Sequence, residues 1–125
     1  MIAAAFEALR ADAAWETLRM QNPAGLWWKL AGASALRQIV CTIHIRLKPF
    51  GVMVWLDEDY RNDSLPQNLI VLHGDETKLI SLRFRDRLVL VGGKPVATSH
   101  DGGAVLLALA IVDAVEDAIE WKDAA

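Results

Sequence analysis

The chain is expected to fold as one α+β domain over residues 1–125: an N-terminal helix, an antiparallel sheet of five or six strands in a mostly sequential meander, and a C-terminal helix packed across one sheet face. Three observations carry this expectation. The first 20 residues combine strong helix formers with apolar side chains three to four apart. The middle of the chain alternates apolar and polar residues between Gly-, Pro- and Asp-containing breaks, and a long apolar-to-amphipathic stretch follows Gly103.

Taken in order, residues 2–20 place Ile2, Phe6, Leu9, Ala13 and Leu18 among Ala, Glu and Arg, which predicts a helix. Asn22-Pro23-Ala24-Gly25 interrupts it, and Leu26 to Leu36, with Trp27 and Trp28, reads equally as a second helical segment or an irregular cover. From Arg37 the period changes to two. Ile39, Cys41, Ile43, Ile45 and Leu47 alternate with Val40, Thr42, His44, Arg46 and Lys48, which predicts a strand over Arg37–Lys48. Pro49-Phe50-Gly51 turns the chain into a second strand at Val52–Leu56, and the polar stretch Asp57–Gln67 with Pro66 reads as a loop. Asn68–Leu72, Lys78–Phe84, Leu88–Val91 and a short Val96–Thr98 complete the strands. The turns between them fall at His73-Gly74-Asp75-Glu76, Arg85-Asp86-Arg87 and Gly92-Gly93-Lys94-Pro95. Ser99 or Asp101 is placed to cap a helix running to about Lys122. Its first half, Ala104–Val112, is apolar nearly all round and so requires cover on more than one side.

Composition narrows the class. The chain is 54% hydrophobic and 23% charged, with 13 Lys plus Arg against 16 Asp plus Glu and a mean hydropathy of +0.24. That is slightly more apolar than soluble domains usually are, so some apolar surface is expected to be left over. The single Cys41 cannot form an internal disulfide, which points to a reducing compartment and a cytoplasmic location. The first residues, MIAAAFEALR, lack a basic start and carry Glu7 where a signal peptide runs apolar. The longest uncharged apolar run, Ala104–Val112, is about half of what a spanning helix needs, so no membrane partner is expected.

Charge is uneven. Arg37, Arg46 and Lys48 make residues 37–48 +3, and residues 78–94 are +4, whereas residues 101–125 are −5. With the strand phase above, His44, Arg46, Lys48, Arg83 and Arg85 would share one outer sheet face and attract a polyanion, nucleic acid included. Against this, a sequence pI near 5.5 lies well below that of a dedicated nucleic-acid-binding domain. Basic residues on an exposed sheet face also serve to discourage edge pairing.

No motif supplies a convincing catalytic centre. Asp75-Glu76-Thr77-Lys78, with Asp57 and Asp59, superficially resembles the acidic residues and Glu-x-Lys of metal-dependent nucleases, but Glu76 falls in a turn rather than in an apolar strand. His44, His73 and His100 are scattered without ligand spacing, so no metal and no cofactor are expected. The strand phase puts Cys41 in the core and points it away from His44, against a nucleophile pair. Gly92-Gly93-Lys94-Pro95 lacks the second Gly and the hydroxyl residue of a phosphate-binding loop.

Five tryptophans, Trp15, Trp27, Trp28, Trp55 and Trp121, are many for a chain of this size. Trp is enriched at interface anchors, which makes Trp27, Trp28, Trp55 and Trp121 the candidate partner-binding residues. The leading functional expectation is a small cytoplasmic, non-enzymatic protein-interaction module of the adaptor, chaperone-like or inhibitor kind, self-associating as a homodimer or serving as the subunit of a larger complex. Polyanion binding through the basic face is the alternative. A small-molecule pocket between the sheet and the C-terminal helix is the third reading.

Overall fold

The fold is taken from a computed structural model, which describes residues 2–12, 32–57, 67–85, 88–97 and 103–124. For 32–35, 103–104 and 120–124 it describes the backbone alone. Among the described residues three α-helices, α1 (Ile2–Arg10), α2 (Gly32–Leu47) and α3 (Gly103–Ala124), accompany five strands: β1 (Val52–Leu56), β2 (Asn68–His73), β3 (Glu76–Phe84), β4 (Leu88–Val91) and β5 (Lys94–Ala97). The strands form one antiparallel sheet in the sequential order β1-β2-β3-β4-β5. The expected meander is therefore present, with α1 before it and α3 across one of its faces.

Local turn chemistry fixes the hairpins. Gly74, at the first loop position between His73 and Glu76, has φ 63°, while Gly92 and Gly93, between Val91 and Lys94, have φ 57° and 87°. Two-residue hairpin loops need such left-handed backbone to match the twist of their strands. Register then follows: Val54 opposes Val71, and Leu69 opposes Ile80, so one face of the sheet is lined by the buried Val52, Val54, Leu69, Val71, Ile80 and Leu82.

The one element that departs in type from the alternating pattern is α2. The expected strand Arg37–Lys48 is a helix, and the ambiguous stretch before it contributes the helix's first turns from Gly32. Two periods coexist in these residues. The helical one, Leu36, Ile39, Val40, Ile43 and Leu47, is the buried set, whereas Ile45 is 62% exposed. β-branched residues weakly disfavour helix, but burial of a complete stripe outweighs a propensity of a few tenths of a kcal/mol per residue. Cys41 is correspondingly exposed rather than in the core. The helix stops before Pro49, which sits in a 3₁₀ turn (Lys48–Phe50). Gly51, at φ 82°, donates its N–H to the Lys48 carbonyl at 3.0 Å.

α2 lies along β1, α3 crosses β4 and β5, and α1 packs on both helices. Phe6 and Leu9 of α1, the α2 stripe and Leu107, Ala108, Ile111, Val112, Val115 and Ile119 of α3 form one core with the inner sheet face. α1 and α2 thus give α3 the second side of cover that its apolar first half requires. Arg10 clamps α1 to α3, its guanidinium donating to Asp113 at 2.7 and 3.0 Å and to Glu116. α1 ends at Arg10, with Ala11 and Asp12 in a closing turn, while residues 13–20 of the expected helix, the Ser99 and Asp101 caps and the 86–87 turn tip lie outside the described residues.

Candidate interaction surfaces

Because α2 and α3 cover the inner face of the sheet, with α1 packed on them, alternation turns a second set of side chains to the opposite face. Trp55, Ile70 and Leu79 form one row across β1, β2 and β3, and Met53, Leu72 and Thr77 form the next. Adjacent strands are about 4.8 Å apart, so each row spans roughly 10 Å. Trp55 is 39% exposed and Leu79 63%, and neither row contains a charged residue. Continuous apolar rows on the outer face of a sheet are uncommon on monomers, whose exposed strands usually alternate apolar-in and polar-out.

Of the tryptophans singled out from sequence, Trp55 belongs to this face. Trp27 and Trp28 lie outside the described residues, and so does Trp15. Trp121 is placed on the last turns of α3 without its side chain being described. Ile70, Leu72 and Leu79 were missed as surface residues. The signal was available: in Asn68–Leu72 both alternating sets are apolar, which a half-exposed strand does not need.

The basic outer face does not form. His44 and Arg46 are on α2 and Lys48 in the 3₁₀ turn, while Arg83 is on β3 with Arg85 just beyond it. Arg46 pairs with the buried Asp12 carboxylate at 2.8 Å. Lys48 adjoins the sheet end at which Val52, His73 and Glu76 are aligned. Arg83 is a further 23 Å or so along β3 at about 3.3 Å per residue. A period of two would have aligned these five side chains; the helix disperses them.

The helix also brings together a pair that alternation would have separated. Cys41 and His44, one turn apart, line a shallow groove of about 350 Å³ between α2 and β1 with Arg37, Val40, Val54, Trp55 and Leu56. His44 Nδ1 accepts the Val54 N–H at 3.1 Å. That lone pair is occupied and does not serve as a base for the thiol while the bond is made. Its evident work is to satisfy an outward-pointing N–H of β1, an edge strand.

Asp57 has a structural role too. Its Oδ1 accepts the N–H groups of Gln67 and Asn68, both at 2.9 Å, and its Oδ2 accepts Asn68 Nδ2 at 2.8 Å, closing the long β1–β2 connection. Burial pushes this carboxyl up, but the Asn68 side chain and the two backbone N–H groups together outweigh it and hold the carboxyl below its ordinary range. Asp57 and Glu76 stand at opposite ends of β2, since Asp57 adjoins Asn68 and Glu76 pairs with His73. They do not form an acidic pair. Among the described residues no three His, Cys, Asp or Glu side chains are grouped to hold a metal.

A cleft does open between the sheet and α3, with a volume of about 700 Å³. Its walls are Ile80, Val91 and Val96 on the sheet side and Ala110, Ala114 and Ala118 on the helix, with Lys94, Asp113 and Asp117 among its polar lining. Comparison with protein families, curated proteins and solved structures finds no match to this chain. Among the described residues no helix is long and apolar enough to cross a membrane.

Proposed function

We propose that this chain is a cytoplasmic, non-enzymatic protein-interaction module that self-associates through the outer face of its sheet. The observation that carries the reading is the uncharged, mostly apolar double row Trp55-Ile70-Leu79 and Met53-Leu72-Thr77 on a sheet whose other face is already covered. A second copy is the occupant these rows suit best. A two-fold interface brings each patch against itself, so a patch without charge meets no like-charge repulsion. Two such sheets stack about 10 Å apart and interdigitate side chains as the two halves of a sandwich do.

The test is the solution mass of the protein and of the double variant Trp55→Lys/Ile70→Thr, by size-exclusion chromatography with light scattering at low and high salt. The wild type is expected to be a dimer at both salts. The variant is expected to dissociate with a dimer constant weakened roughly a hundredfold, since central aromatic anchors carry most interface energy and each is lost twice. A wild-type monomer at tens of micromolar, or a variant that dimerises unchanged, overturns the reading.

A further inference from the structure

We propose that His44 is a proton-operated latch on the β1 edge, which caps that edge when the imidazole is neutral and releases it when the imidazole is charged. The bond that switches is the one from the Val54 N–H to His44 Nδ1, at 3.1 Å. A ring nitrogen that accepts carries no proton, so the neutral imidazole holds its single proton on Nε2. A second proton can go only to Nδ1, where it faces the Val54 N–H donor to donor. Protonation therefore abolishes this bond.

The bond sits at the middle of an edge with little other protection. Asp57 donates to the Asn68 carbonyl on the β2 side, and the β1–β2 register is unbroken, so parity sends the backbone groups of Met53 and Trp55 into the same ladder. Val52, Val54 and Leu56 direct theirs to the opposite side, where no other strand lies among the described residues. Exposed edges are ordinarily blunted by a charged side chain, a proline or a bulge. β5, at the far edge, has Lys94 and Pro95, whereas β1 reads Val-Met-Val-Trp-Leu and has none of the three. His44 does this work from the neighbouring helix.

The surroundings give the charged ring another place to be and nothing to hold it where it was. Arg37 and Cys41 share its groove with β1, which has no ionisable residue, and no carboxylate lines that groove to accept the new N–H. Lys48 follows four residues later in the 3₁₀ turn. The nearest acid that α1 brings to α2, Asp12, is paired with Arg46, roughly 200° round the helix from His44. The acids of α3 that face α1, Asp113 and Glu116, are held by Arg10. Asp57 lies beyond the end of β1 and is bonded to Gln67 and Asn68, and His73 stands opposite Val52 on the far side of β1. His44 itself is in the last turn of α2, whose final carbonyls lack helical donors and favour a cation. The neutral ring thus belongs on the strand edge and the charged ring at the helix end, which makes a two-position device.

The test follows ¹⁵N-labelled full-length protein between about pH 7.5 and about pH 5, within the span in which imidazoles change charge. Long-range ¹H–¹⁵N spectra at the upper pH should show His44 protonated on Nε2 alone. On acidification the protection of the Val54 amide, taken relative to its intrinsic exchange rate at each pH, should fall about tenfold. The Trp55 amide, which serves the β1–β2 ladder, should keep its protection. His44→Asn puts a non-titrating carbonyl oxygen in the place of Nδ1, so Val54 should stay protected at both pH values, while His44→Ala should leave it unprotected at both. Val54 protection that acid does not change, a neutral ring protonated on Nδ1, or an acid loss that recurs in His44→Asn overturns the proposal. So does an equal loss at Trp55, because acid would then be loosening the whole sheet. The latch acts on the strand edge rather than the outer face, so these outcomes stand apart from success or failure of the self-association reading.

Discussion

Ile43 and Ile45 differ by two residues and would be equivalent in a strand, but α2 separates them: Ile43 is fully buried and Ile45 is 62% exposed. Ile43→Ala removes a side chain whose burial stabilises by roughly 1.5–3 kcal/mol and leaves a cavity against the sheet, for a total of about 3 kcal/mol. Ile45→Ala forfeits only the buried third of that surface, about 0.7 kcal/mol. It regains about 0.4 kcal/mol because Ala is the better helix former, leaving a change within about 0.5 kcal/mol. In urea, with a slope near 2 kcal/mol per molar, the first variant should lower the unfolding midpoint by about 1.5 M and the second by less than about 0.3 M. Equal losses at both positions would refute the helical assignment of Arg37–Leu47 and, with it, the dispersal of the basic residues.

Other outcomes follow from single hydrogen-bonding groups. Asp57→Ala should destabilise by about 1–2 kcal/mol at pH 7, through loss of charge-assisted bonds to Gln67 and Asn68. The Asp57 carboxyl is held below its ordinary value of 3.8, so its contribution is complete above that pH and disappears as pH falls through the lowered value. Urea midpoints of wild type and variant should therefore converge in strong acid, and a gap that persists there would sink this account. His44→Ala leaves the Val54 N–H without its acceptor and should cost about 1–2 kcal/mol, with faster hydrogen exchange at Val54 as the specific sign. Unchanged Val54 exchange would mean that the imidazole does not protect the β1 edge.

The meander was legible because its causes are local. Gly74, Gly92 and Gly93 mark turns that require left-handed backbone, and alternation along Lys78–Phe84 and Val52–Leu56 reports which side faces the core. The α3 stripe was legible for the same reason, since 3.6-residue spacing along one element needs no partner to be seen. Arg37–Leu47 carries both periods at once. Burying Ile39, Ile43 and Leu47 is common to the two solutions, and the burial of Leu36 and Val40 in the shared core selects the helix.

The candidate surfaces depended still more on tertiary structure. Trp55 was marked by its residue type, but its row with Ile70 and Leu79 exists only through the β1–β2–β3 register, which joins residues far apart in sequence. Sequence by itself determined the turns, the strand phases and the apolar surplus, because backbone sterics and side-chain period act within a few residues. Tertiary structure decided which of two periods α2 obeys and which sheet face the helices cover, because those outcomes are set by burial summed over elements distant along the chain.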